Sequence, residues 1–351
     1  MFASKHYYCK ILDMQLIINL SKIVILAFLT CCLLVAWNEK SLLKVENNLF
    51  FTSNKTSQPS LINPTTENQA EETKTNHFIE IVEKKPTVSI WAQMRQQFKL
   101  DTKLQSLAVK KEIRQLLAEQ DKLYFILKSA GPYIYFIYQQ IQAHGLPAEI
   151  ALIPVIESEF NPNDYSKKGA TGLWQLMSGT AHDLGVKIKS GYDGRRNVIA
   201  STQAALRYFD DLGEYFNGDW YLAIAAYNSG QMKVKSAMRR AGSHNFWNLP
   251  LPQETKHYVP RLLAIAAIIK EPEKYGVQLP NIENQPYFSE VKIKKPVSLK
   301  QVAKLSGTNI KILKALNPDY RQGNPPFKKN GHSILVPVSK VAIIKNHYGV
   351  A

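Results

Sequence analysis

Glu157 closes a strongly apolar run, Ala151-Leu152-Ile153-Pro154-Val155-Ile156, as its only ionisable side chain, with Ser158 immediately after it. Burial in such surroundings disfavours the charged form and raises a carboxyl's pKa. An acid that still holds its proton near neutral pH is what general acid catalysis requires. The plainer alternative is a salt-bridged helix acid, as most helical glutamates are. Glu159 is close in sequence but not in direction. At about 3.6 residues per turn it points about 200° away from Glu157, so the two do not form a carboxylate pair. Asn161-Pro162-Asn163 ends the helix expected over 147–159. Glu157 is thereby left near a C-terminal helix mouth, where the dipole also opposes negative charge.

The residues that follow supply binding groups rather than further acids. Ser166, Gly169, Gly172, Gln175 and the segment Ala225-Ala226-Tyr227-Asn228-Ser229-Gly230 bring small and hydrogen-bonding side chains to the borders of apolar helices. Amides and hydroxyls suit the hydroxyl and N-acetyl groups of sugars, and aromatic faces suit the ring faces.

Positioning these groups requires helices. From Trp91 onward apolar residues recur at helical spacing: Leu104, Leu107, Ala108, Ile113, Leu116 and Leu117 share a stripe, and 133–141 is an aromatic helix. Gly145-Leu146-Pro147 closes that helix and opens the next. Further helices are expected over 172–184, 198–216, 220–227 and 253–270, with almost no strand signal before Tyr287. From there the pattern alternates. Strands over 288–294 and 333–338 flank short helices at 299–305 and 310–316, a βααβ order. Its acids are Glu290 and Asp319, against roughly a dozen Lys and Arg.

The 351 residues carry a net charge of +16, which favours an anionic partner. No zinc-finger spacing, zipper heptad or RNA-binding aromatic signature supports nucleic acid. Residues 23–37 are uncharged and apolar behind Lys5, Lys10 and Lys22, the layout of a signal peptide or an uncleaved N-terminal membrane anchor. Both readings stay open and both imply export. Cys9, Cys31 and Cys32 lie in this segment, and the rest of the chain has no thiol for catalysis or zinc. The expected division is a signal or anchor at 1–40, a disordered linker at 41–88, an all-α domain at 89–284, a βααβ module at 285–340 and a tail at 341–351.

Several motifs in order then resemble one family. Ile156-Glu157-Ser158, Asn161-Pro162, Ser166, Gly169-Ala170, Gly172-Leu173-Trp174-Gln175-Leu176-Met177 and Thr180-Ala181 resemble the first motifs of the soluble lytic transglycosylase domain, a goose-lysozyme-like fold. Ala226-Tyr227-Asn228-Ser229-Gly230 resembles its third motif. The stretch from Pro252 through His257-Tyr258-Val259-Pro260 is similar to the next helix in the membrane-bound lytic murein transglycosylase D branch. Ser178-Gly179 departs from the pattern, which commonly has a proline after the methionine. The resemblance implies a mainly α, lysozyme-like catalytic domain with Glu157 as the single catalytic acid. It implies that Ser166, Gln175, Met177, Tyr227, Asn228 and Tyr258 line the glycan site, and that no metal or cofactor is needed. By residue type alone Met177 is more often core than site, and Trp174 more often packing than a sugar platform.

Most glycosidases use two carboxyls. With one, the second participant comes from the substrate. The implied reaction on peptidoglycan has Glu157 protonate the glycosidic oxygen between MurNAc and GlcNAc. The muramoyl N-acetyl group supports the oxocarbenium-like centre. Glu157 then accepts the O6 proton as O6 closes on C1, giving a 1,6-anhydro end. Hydrolysis by water on the same fold is the alternative activity, and a non-catalytic wall-binding protein is the alternative class. The C-terminal residues 298–303, 310–318 and 335–337 resemble a degenerate LysM module, with Lys295-Pro296-Val297 where Gly-Asp-Thr is usual. Sugar binding, a basic grip on wall or membrane, and simple packing all remain open for it. The expected partners are peptidoglycan strands, and the membrane if the N-terminal segment is retained.

Overall fold

Apolar stripes at helical spacing fold most of the chain into helices that share one core. The structure is a computed structural model that describes residues 88–323, 325 and 332–348. The expected anchor at 1–40 and the linker, apart from Val88, lie outside the described residues.

The helical body runs α1 (Ile90–Arg95), α2 (Leu107–Ala118), α3 (Gln120–Ser129) and α4 (Ile134–Ala143). A 3-10 segment (Ala148–Leu152) then leads directly into α5 (Ile153–Glu157). The expected single helix over 147–159 is thus split. Pro154 lies in the first turn of α5, where its missing N–H costs nothing. After α6 (Ser178–Asp183) come two-residue strands β1 (Ile188–Lys189) and β2 (Tyr192–Asp193), too short for an alternating pattern to announce. The body is completed by α7 (Val198–Tyr215), α8 (Trp220–Ser229), α9 (Gln231–Ala241) and α10 (Gln253–Lys270). Caps set several starts. The Asn197 side chain accepts from Ala200 N at the head of α7, and Asp219 accepts from Tyr221 N and Leu222 N at the head of α8.

Helix α10 is the spine and packs against α2, α8 and the 148–157 segment. Ala264, Ala266 and Ala267 on it, and Ala223, Ala225 and Ala226 on α8, are all buried. Small side chains let helix backbones approach closely there, as dense packing requires. The two ends of the body are stitched together. Ile90 N donates to Ile282 O, Asn284 N donates to Val88 O, and the buried Trp91 donates Nε1–H to Pro280 O at 2.9 Å.

Beyond the body, β3 (Phe288–Ile293) is followed by α11 (Leu299–Ser306), α12 (Ile310–Leu316), β4 (His332–Pro337) and α13 (Val341–Tyr348). The strands pair antiparallel from Phe288↔Pro337 to Ile293↔His332. A capping box between Ser298 and Gln301 starts α11. The residues expected as a tail from 341 are instead α13. Its Ile344 is fully buried in the module's core with Val291, Val302, Leu313 and Val336, because burying that apolar face outweighs the entropy of ordering one short helix.

Body and module belong to one compact unit. Phe288, Leu316 and Leu335 join the body's own core. The Phe136 and Phe288 rings lie 5.5 Å apart, Tyr133 Oη donates to Ala315 O, and Asn197 Nδ2 donates to Asp319 Oδ2 at 2.8 Å. The module is therefore docked on the helices rather than tethered beside them.

Candidate active site

Glu157 is the last residue of α5, and an unusual chain reversal puts it there. Glu159 and Phe160 both adopt positive φ, at 51° and 58°. Ser158 N and Phe160 N both donate to Pro154 O, closing the helix end. Phe160 is buried, which holds the reversal in place. Glu159 leaves on the opposite side, exposed, and pairs with Lys122 at 3.0 Å. It takes no part in the site.

The Glu157 side chain faces a groove of about 690 Å³ whose walls include Ser166, Gln175, Met177, Tyr227 and Asn228. Six of the seven residues singled out in the sequence, Glu157 included, thus line one cavity, and the seventh touches the Glu157 carboxyl: Tyr258 Oη donates to Glu157 Oε1 at 2.6 Å. Burial pushes the Glu157 carboxyl up to about 7. The Tyr258 hydrogen bond pulls in the other direction, and the Glu254 charge adds to the rise. Burial, with the neighbouring Glu157 charge, also pushes the Tyr258 and Tyr227 phenols well up, so both stay neutral. Tyr258 is therefore a fixed donor. With Oε1 engaged, a proton on Glu157 sits on Oε2.

The individual side chains play different parts. Ser166 Oγ accepts from Ala170 N, and Ser166 N donates to Ala170 O, so this serine closes the loop that forms one wall. Gln175, at φ 46°, donates Nε2–H to Gly172 O and shapes the turn before Met177. This turn is why the helix expected from 172 begins only at Ser178. Met177 is 44% exposed and projects from the wall. Tyr227 has spent its hydroxyl on Trp174 O at 2.7 Å and stacks on Phe209, with ring centroids 4.5 Å apart. It offers the groove ring surface rather than a hydroxyl. Trp174 is fully buried and donates to Thr202 Oγ1. Asn228 Oδ1 accepts from the buried Thr255, which orients its amide toward the groove.

The loop from 164 to 177 is pinned from behind. Arg195 and Asp193 form a buried bidentate pair, Nη2 to Oδ2 at 2.8 Å and Nε to Oδ1 at 3.0 Å. Burial tends to push Asp193 up, but the hydrogen bonds and charge of Arg195 outweigh it and hold the carboxyl below its ordinary range. The remaining Arg195 donor, Nη1, reaches Gly169 O and Leu176 O. Gly172, at φ +85°, lies against the Arg195 backbone so closely that a Cβ would stand 2.0 Å from Arg195 O. Ser158 Oγ, donating to Leu173 O, ties the same loop to the end of α5. Acid and wall are thus fixed relative to each other.

Sequence reasoning missed three contributors. Tyr208 on α7 lines the groove and packs on Tyr227 at 5.7 Å. Asp164 and Glu254 bring further carboxylates to it. Glu254 lies on the rim, its side chain 70% exposed, facing Lys168 Nζ at 3.8 Å and Asn228 Nδ2 at 3.4 Å. The groove therefore holds one carboxyl raised by burial and others at its edges, rather than a single acid. Tyr208 carried no signal, since nothing in an aromatic on a helical stripe says which cavity it borders. Glu254 lies inside the stretch from Pro252 to Pro260, to which the sequence assigns a helix but no role for this acid.

Comparison with known proteins bears on this arrangement. Residues 134–250 match the transglycosylase SLT domain family, and residues 287–349 match the LysM-like domain of the lytic transglycosylase MltD. The chain belongs to the SLT lytic transglycosylase family. It is 36% identical over 236 residues to the membrane-bound lytic murein transglycosylase D of Escherichia coli strain K12, covering 66% of this chain and 52% of that one. It is 39% identical over 160 residues to a putative tributyltin chloride resistance protein of an Alteromonas species, covering 45% of this chain and 76% of that one. The chain spans about half the length of the Escherichia coli relative. Among solved structures, an inactive mutant of the lytic transglycosylase Slt from Pseudomonas aeruginosa aligns with a TM-score of 0.33 at 27% identity, over 40% of this chain and 24% of that one.

Proposed function

We propose that the protein is a peptidoglycan lytic transglycosylase that cleaves the MurNAc–GlcNAc β-1,4 bond and leaves 1,6-anhydro-MurNAc ends. The observation that carries this reading is the Glu157–Tyr258 pair, a groove-lining carboxyl raised to about 7 with one oxygen committed to a neutral donor. Such a group is balanced between acid and base near neutral pH, which one residue must be to play both parts in turn. The uncommitted Oε2 protonates the glycosidic oxygen. The Tyr258 donor then stabilises the carboxylate that results, and that carboxylate takes the O6 proton as O6 closes on C1. A groove that holds the ring rigidly favours this internal attack through its effective molarity. Ser166, Gln175, Met177, Tyr227 and Asn228 are assigned the walls of the glycan site on the strength of their common groove.

The proposed setting is the cell wall. The apolar segment at 23–37 behind its lysines supports export, and the name of the Escherichia coli relative supports attachment to a membrane on the periplasmic side. No described helix is long and apolar enough to cross a membrane. Body at 89–284 and module from 285 onward are proposed as the functional division.

Mass spectrometry of peptidoglycan digested by the purified chain tests the activity. Anhydro-muramoyl products that disappear with Glu157→Gln support it. Reducing ends without anhydro sugar would make the enzyme a hydrolase, and no soluble product from the wild type would sink both.

A further inference from the structure

A second cleft, of about 660 Å³, lies where the module meets the body. Arg196 from the body and Lys300, Lys314 and Arg321 from the module line it, and no Asp or Glu is among its described lining residues. None of these four cations forms an ion pair among the described residues. Like charges gathered in one concave site are unfavourable unless an anion joins them. Burial lowers the Arg196 pKa and the nearby Arg321 and Arg195 charges lower it further, against opposition from Asp193 and Asp164.

The cleft and the catalytic groove share a wall. Asn163 lines the cleft and the next residue, Asp164, lines the groove. Arg196 Nη1 donates to Asn163 O at 2.6 Å, while the adjacent Arg195 holds the groove loop at Gly169 O and Leu176 O. Groove and cleft are therefore separated here by one loop, and a glycan strand bound in the groove would have the cleft within a loop's width of it. In peptidoglycan that strand carries peptide branches that end in carboxylates.

We propose that this cationic cleft binds the carboxylates of a peptide branch on the strand held in the catalytic groove. The inference rests on the proposed function for its choice of polymer. It assigns the module a role different from sugar binding: reading whether the strand is substituted with peptide. The packed contact between module and body is what makes such a joint site possible, because a tethered module would not hold Lys300, Lys314 and Arg321 beside Arg196.

The test measures binding of strands to the full chain carrying Glu157→Gln, so that cleavage does not intrude. Two probes are compared: uncross-linked glycan strands bearing peptides, and the same strands stripped of peptides by an amidase. Replacing Lys300, Lys314 and Arg321, all exposed, by Ala should raise Kd for the peptide-bearing strands about tenfold, the sum of a few exposed charge contacts. The stripped strands should bind unchanged. The charge-retaining set Lys300→Arg, Lys314→Arg and Arg321→Lys should restore most of the affinity, and the peptide-dependent part should weaken as salt rises. Equal loss on both probes, or loss on neither, overturns the proposal. So does a wild-type chain that shows no preference for peptide-bearing strands but binds phosphatidylglycerol vesicles through the same three residues. Failure of the parent reading is separable: a chain that yields no anhydro product, yet keeps the peptide preference, loses the activity and not the cleft.

Discussion

Tyr258 donates its hydroxyl to Glu157 Oε1 at 2.6 Å, joining the second turn of α10 to the end of α5 across 101 residues of chain. Its position is secured by α10. The buried Glu112 of α2 binds His257 Nδ1 at 3.0 Å and Arg261 Nη1 at 3.4 Å, on either side of Tyr258. The bond leaves Glu157 with one free oxygen and with a pKa that is a compromise between burial and donation. Four expectations follow from that site and its supports.

Glu157→Gln should reduce release of soluble fragments from purified sacculi at least a hundredfold, the usual scale for loss of a general acid. Sacculus pelleting should remain near wild type, since the amide keeps the shape and the Tyr258 acceptor. Residual lysis near the wild-type rate would remove Glu157 from the catalytic role.

Tyr258→Phe removes the contact that favours the charged carboxyl. The Glu157 pKa, about 7 in the wild type, should then move up by about one unit, given the size of a hydrogen bond to a charged group. Activity that needs the protonated acid falls as pH rises through that pKa. In the pH profile of kcat/KM the alkaline limb of the variant should lie above that of the wild type. An unmoved limb would mean that another group titrates there.

The same carboxyl should cost stability above neutrality. Its folded pKa of about 7 exceeds the ordinary 4.5, so its contribution to stability is complete below 4.5 and is lost as pH rises through 7. Glu157→Gln should therefore unfold with a higher Tm than wild type at pH 8, by an amount equivalent to roughly 3 kcal/mol, and with an equal Tm at pH 4. Denaturation scans at the two pH values check this.

Gly172→Ala should be severe. Its Cβ would meet Arg195 O at 2.0 Å, backbone against backbone, at a φ of +85° that alanine resists. A loss of at least about 3 kcal/mol is expected, measured by chemical denaturation, and any folded fraction should cleave poorly because the loop bearing Ser166 and Gln175 has shifted. A variant as stable as wild type would show that this loop is not pinned as described.

Much of this was legible in the chain itself. The helical stripes, the change to alternation at Tyr287 and the order of the small module follow from local periodicity, and α12 lies over 310–316 as its pattern implies. The sequence also separates Glu157 from Glu159, but the structure does so by the positive-φ reversal at Glu159 and Phe160 rather than by a helix continuing through 159. Local rules failed where backbone conformation answers to distant contacts. The turn at 172–176, read as helix, exists because Gly172 must pass the Arg195 backbone and because Arg195 holds the carbonyls on both sides.

Glu149 marks the limit most clearly. It too is an acid in apolar surroundings, and it is fully buried, with burial raising its pKa. Yet its Oε1 accepts from Leu100 N, and it is not among the residues that line the groove. By sequence, an embedded acid singled out this region, and the ordered motifs singled out Glu157 and the residues of its wall. Tertiary structure alone decided which embedded acid opens on a groove, which phenol reaches it, and that the basic module is docked beside it. Burial, and hence pKa, depends on everything packed around a group, and most of what packs around Glu157 comes from elsewhere in the chain.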